Sequence, residues 1–192
     1  MRIATFDIET WDLTAPFGPL VCASVLSQEP GFEDRMVTFR QDEYVKSGAA
    51  EDMLDDRQLL CDLRDFIEEH NLSIGWFSKG FDIKHVRSRL ALHGERLLKS
   101  MWHYDAMWGY KGWRGVSFGS AKMKNVAKNM GVAIGVEQKP DVSAETWLSA
   151  KLGKKKAVDA VAERCEADVR ITQKLAQYGM DNMLLKRIEL YP

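Results

Sequence analysis

Four carboxylates in this 192-residue chain, Asp7, Glu9, Asp82 and Asp168, stand in contexts that suit one metal-centred site. Asp7 and Glu9 lie in FDIET, at the end of an apolar run (Ile3, Ala4, Phe6, Ile8) that reads as a buried strand. Side chains alternate across a strand, so Asp7 and Glu9 leave on one face while Phe6 and Ile8 leave on the other. The i, i+2 spacing alone describes any strand with a polar face, so the pair needs support from elsewhere. Asp168 supplies it. In AVDAVAERCEADVRITQKLAQ the residues Val158, Val161, Cys165, Thr172, Leu175 and Ala176 recur at helical spacings, and Asp168 falls on their stripe. An ionised carboxylate facing a core is costly without a cation beside it. Its partner is either a metal or, one turn earlier, Arg164 in an i,i+4 helix salt bridge. Asp82 follows an apolar strand (Leu72, Ile74, Trp76) and an SKGF turn, where IKHVRSRLALHG begins a helix. Alone it reads as an N-cap; strand-end carboxylates beside helix starts are also where open α/β sheets build sites.

The elements that must position these groups follow from the periodicity. Strands are expected at about 2–9, 20–26, 35–40, 72–77 and 101–106, and helices at about 56–70, 82–93, 120–130, 143–151, 154–178 and 180–188. Gly94, Gly131, Gly153 and Gly179 stop successive helices, and PFGPL (16–20) and GVEQKPDVS (135–143) are loops. Three strands followed by alternating helices and strands predict an α/β fold with a mixed sheet. One domain over 1–192 accounts for the whole chain, with a peripheral C-terminal helix at about 180–192.

Composition narrows the class. Hydrophobic residues make up 45% of the chain, with six Trp and eight Phe, which is enough for a well-packed core. Three cysteines, Cys22, Cys61 and Cys165, are too few and unevenly spaced for a disulfide framework or zinc, and they fit a reducing compartment. No run approaches the roughly 20 apolar residues of a membrane span, so a soluble, cytoplasmic protein is expected.

Net charge is −1 from 27 basic and 28 acidic residues, so distribution matters more than the sum. Residues 42–69 are acid-rich. Residues 79–124 are base-rich, with Lys79, Lys84, Arg87, Arg89, Arg96, Lys99, Lys111, Arg114, Lys122 and Lys124, and Lys151, Lys154, Lys155 and Lys156 form a second cluster. Such an asymmetry suits a phosphodiester substrate, although solvated helix faces look the same. Trp102 and Tyr104 read as strand residues packing in the core. Trp108, Tyr110 and Trp113 then alternate with Lys111 and Arg114 in a glycine-rich segment, an arrangement suited to base stacking and phosphate pairing or to folding back onto the domain.

FDIET, GFD and CEADV, in this order and separation, resemble the three exonuclease motifs of the DnaQ-like (DEDD) 3′–5′ exonucleases of the ribonuclease H-like superfamily. The resemblance runs from about Arg2 to about Tyr178 and is closest to stand-alone exonucleases and family B polymerase proofreading domains. It implies a five-stranded ribonuclease H-like mixed sheet flanked by helices, with Asp7 and Glu9 on the central strand. It also implies two Mg²⁺ or Mn²⁺ ions, which favour carboxylate oxygens. Asp7 would bridge both ions, Glu9 and Asp168 would hold the ion that activates water, and Asp82 would support the other. Thr10, Trp11 and Leu13 would receive the terminal nucleotide, with Lys79, Lys111, Trp113 and Arg114 as further substrate contacts. The implied substrate is single-stranded nucleic acid, DNA ahead of RNA, with replication or repair proteins as partners. Two positions depart from the family pattern. Phe77 stands where Asn usually precedes the second-motif Asp, and Arg164 and Glu163 stand where Tyr or His usually orients the attacking water. The alternative to an exonuclease is therefore a weak or inactive nucleic-acid-binding module of the same fold.

Overall fold

The computed structural model describes residues 1–111, 120–135, 140–182, 184 and 188–191. The apolar N-terminal run forms β1 (Ile3–Thr10), which pairs antiparallel with β2 (Leu20–Gln28), itself antiparallel to β3 (Arg35–Arg40). After helices α1 (Gln41–Ser47) and α2 (Arg57–Glu68), β4 (Leu72–Gly75) returns parallel to β1, pairing with Ile3–Thr5 only. Helix α3 (Asp82–Leu92) leads to β5 (Met101–Asp105), parallel to β4. Then come α4 (Met107–Tyr110), α5 (Met123–Ile134), α6 (Ala144–Lys151), the long α7 (Lys155–Asp181) and β6 (Glu189–Tyr191). The sheet order is β3-β2-β1-β4-β5-β6, which leaves β1 in the interior.

Each face of the sheet has its own core. Phe6, Ile8, Ala23 and Val25 pack with Leu59, Leu60, Leu63 and Ile67 of α2 and Ile83, Val86 and Leu90 of α3. On the other face Val21 and Cys22 meet Val158, Val161 and Cys165 of α7, and Leu72 and Ile74 meet Leu175, Ala176 and the aromatic pair Tyr104 and Tyr110. Burying each such large side chain is worth on the order of 1.5–3 kcal/mol, and this is what clamps α7 onto β1. Among the described residues, no helix is long and apolar enough to cross a membrane.

Several expectations need correction. The sheet has six strands: part of the segment expected to be a C-terminal helix is β6, antiparallel to β5 through Trp102↔Leu190 and anchored by the Lys79–Glu189 ion pair at 2.7 Å. An added strand covers an otherwise open β5 edge. Gly131 does not stop α5, and Gly179 does not stop α7. A Cβ at Gly179 would sit 3.2 Å from the Tyr104 hydroxyl, so this glycine allows close packing rather than termination. Gly94 and Gly153 adopt the left-handed conformation expected of stops, at φ +70°. Tyr110 is not a loop aromatic: it is buried in α4, with its hydroxyl donating to Leu175 O at 2.6 Å.

Charge segregation in the sequence also has a structural explanation. Arg89 and His93 hold the fully buried Asp56, Arg96 bridges Asp65 and Glu68, and Lys99 reaches Glu68. Arg89, Arg96 and Lys99 of the base-rich segment therefore neutralise part of the acid-rich one beside α2 and α3.

Candidate metal centre

Strand alternation sends Asp7 and Glu9 to the face of β1 covered by α7. Helix α7 lies against that face in the opposite direction, with Cys165 Sγ 3.4 Å from the main-chain oxygen of Asp7. One further turn brings Asp168, 3% exposed, to the same spot. Carboxylate oxygens of Asp7, Glu9 and Asp168 all lie within 4.8 Å of one another. Hard oxygen donors this close repel one another unless cations offset them, and the set has the chemistry that Mg²⁺ or Mn²⁺ takes.

Arg164 brings a cation to this centre, and it does so differently from the helix-pair expectation. Its Nε donates to Glu9 Oε1 at 3.0 Å, so its ion pair is with the strand rather than with Asp168. The reason is a match of two rises. Four residues back along α7 cover about 6 Å, and two residues forward along β1 cover about 6.6 Å. Asp168 over Asp7 therefore entails Arg164 over Glu9. Glu163, its neighbour in the sequence, is exposed.

Asp82 stands outside the group of three but close to it. It is the first residue of α3, with Phe81 rather than Asp82 as the N-cap. β4 stops pairing with β1 at Thr5, and beyond that point the main-chain N–H of Ile8 faces Asp82 and favours the charged form of its carboxyl. Burial, followed by the charges of Asp105 and Glu9, pushes the Asp82 carboxyl up to about 7. Asp105, at the end of β5, accepts from Phe77 N at 2.9 Å and Lys79 N at 3.1 Å and so ties down the turn before α3. Its own carboxyl is raised by burial. Phe77 sits at φ 59° and is 46% exposed. Its ring lies over Gly80, where a Cβ would come within 2.3 Å of the ring, so a larger residue there would push this half-exposed ring aside.

The segment after β1 forms a lip over the centre. Trp11 N donates to Pro19 O at 3.0 Å, and Asp12 Oδ1 accepts from Thr14 N at 2.8 Å and from Thr14 Oγ1 at 2.7 Å. His85 bonds Gly18 O at 2.6 Å, and burial lowers the pKa of that imidazole. A side chain at Gly18 would meet Asp12 O at 2.3 Å, so this close turn requires glycine. Beneath the lip is a cavity of about 310 Å³ lined by Ile8, Glu9, Thr10, Trp11, Leu13, Phe81, Trp147 and Lys151. Lys151 Nζ donates to Trp11 O at 2.6 Å, while the buried Trp11 Nε1 has no hydrogen-bond partner among the described residues.

The fold thus gathers Asp7, Glu9, Asp168, Arg164, Thr10, Trp11 and Leu13, with Asp82 beside them. Lys79 is engaged with Glu189, and Lys111 lies 4.6 Å over the Trp108 ring at the end of α4. Trp113 and Arg114 fall outside the described residues. Phe81, Trp147, Lys151 and Asp105 were not among the expected site residues. Lys151 had shown only as part of a lysine cluster, and Trp147 carries no local signal, because α6 reaches the lip only through the tertiary fold.

A family model described as RNase_H superfamily (RNase_H_2) matches residues 4–179. No curated protein matches the chain. Among solved structures, it is similar to the family B DNA polymerase from the hyperthermophilic archaeon Pyrobaculum calidifontis. The TM-score is 0.69 at 18% identity, over 96% of this chain and 25% of the polymerase, so the chain spans about a quarter of that protein's length.

Proposed function

The chain belongs to the RNase H superfamily, and from that premise we propose that it is a metal-dependent 3′-to-5′ exonuclease acting on single-stranded nucleic acid, DNA ahead of RNA. The observation that carries the reading is the approach of Asp7, Glu9 and Asp168 to within 4.8 Å beside a cavity large enough for one nucleoside. Asp7, Glu9 and Asp168 would hold divalent ions, Mg²⁺ or Mn²⁺, with Asp82 in support. When bound, such ions offset charge on the phosphate and lower the pKa of a bound water by several units.

The protein's own groups do the remaining work. The aromatic walls of Trp11, Trp147 and Phe81 suit a terminal base, and Lys151 offers a polar donor beside it. Asp105 fixes the turn that presents Asp82 and Phe77. Arg164 stays protonated and cannot serve as a general base. A missing base typically costs about 10² to 10⁴ in rate, so hydrolysis is expected to be slow rather than absent.

The test uses purified protein, Mn²⁺ and an end-labelled oligonucleotide, alongside a closed circular single strand. A ladder from the linear strand with the circle intact is the expected result; cutting of the circle would move the assignment to an endonuclease. Arg164 on Glu9 also favours a second reading, a binding module of the same fold, which predicts tight single-strand binding with no ladder.

A further inference from the structure

Resting on the metal-dependent reading, we propose that Arg164 is a resident counter-cation of the acidic centre, and that single-stranded substrate must draw it off Glu9 before metal is held tightly. Metal binding then becomes conditional on nucleic acid. The argument starts from the register of α7 on β1, which puts a permanent positive charge 3.0 Å from one of the three clustered carboxylates. Guanidinium cannot leave by losing a proton. A divalent ion using Glu9 must therefore either share it with a cation or displace that cation, and both reduce affinity.

The geometry also provides the release. Arg164 meets Glu9 through Nε alone, a one-point contact that leaves the two terminal nitrogens out of the bond. Its side chain keeps 23% of its surface exposed at the mouth of the centre. A phosphodiester offers such a group a forked, charge-assisted partner that a single carboxylate oxygen does not. When the guanidinium turns to phosphate, its charge no longer competes with metal for Glu9. By linkage, the factor by which substrate tightens metal must equal the factor by which metal tightens substrate.

The test is calorimetric titration of Mn²⁺ into the full chain, with and without a phosphorothioate-linked oligothymidine that resists cleavage. Thermal unfolding in EDTA confirms that each variant is folded. For the unsubstituted protein, the oligonucleotide should tighten Mn²⁺ binding by about tenfold or more, equivalent to about 1.4 kcal/mol. Arg164→Gln should bind Mn²⁺ about that much more tightly without oligonucleotide and lose most of the coupling. Arg164→Lys, which keeps the charge, should retain part of it. Equal Mn²⁺ affinity with and without oligonucleotide in the unsubstituted protein would overturn the inference and leave the nuclease reading standing. So would full loss of coupling in Arg164→Lys. No Mn²⁺ binding by any form, even with oligonucleotide, would overturn the nuclease reading and this inference with it.

Discussion

Asp82→Asn should make the metal-free protein more stable at neutral and alkaline pH while changing little in acid. The Asp82 carboxyl is 4% exposed and titrates at about 7 instead of 3.8, chiefly because burial penalises its charged form. The folded state therefore holds this proton more tightly than the unfolded chain. The resulting stability is fully present below about pH 3.8, is lost as pH rises toward about 7, and is absent above that. A difference of that size corresponds to roughly 4 kcal/mol, an upper bound because Glu9 and Asp105 titrate with it. Asparagine is neutral throughout and nearly isosteric with the carboxylic acid. Urea unfolding in EDTA at about pH 4, 6 and 8 would measure the gap between the two proteins, expected to open from near zero to about 2–4 kcal/mol across that range. Parallel stability curves for the two proteins would refute the assignment of a protonated Asp82. A less stable Asn variant at alkaline pH would refute the claim that the ionised carboxylate is the unfavourable state.

Asp168→Asn and Asp7→Asn should each abolish Mn²⁺-dependent hydrolysis and the rise in melting temperature caused by Mn²⁺; retention of both effects in either variant removes that residue from the centre. Asp56→Ala strands the buried Arg89 guanidinium and should cost about 3–5 kcal/mol in urea unfolding, against which a loss below about 1 kcal/mol would mark the Asp56–Arg89–His93 cluster as solvated. Lys151→Met removes the donor to Trp11 O and should weaken oligonucleotide binding about tenfold by anisotropy, with turnover at saturation little changed; unchanged affinity would place the substrate elsewhere.

Local pattern carried a large part of this protein. Alternation in FDIET sufficed to send Asp7 and Glu9 to one face, since a period of two is a property of the strand itself. The three- and four-residue spacing around Asp168 sufficed to turn it toward the core, and Gly94 and Gly153 marked helix ends that their positive φ bears out. Motif order then extended these local readings to a sheet with β1 in its interior. Glycine as a stop was less dependable: Gly179 serves packing, because what it must avoid, the Tyr104 hydroxyl, comes from a different part of the chain.

What the chain order left open was every relation between elements. Arg164 had Asp168 as its sequence neighbour one turn away, yet its partner is Glu9, since the antiparallel seating of α7 on β1 matches one helical turn to two strand residues. Part of the basic run is paired with acids beside α2 and α3, because ion pairs form by proximity in space. Trp147 and Lys151 join the lip, and Asp105 supports the turn before Asp82, through packing that no spacing encodes. Residue types and periodicity determined which groups were available and which way they faced along their own strand or helix. Only the tertiary structure decided which of them meet, because contact distance depends on how strands and helices are stacked, and that is settled by burying both faces of the sheet at once.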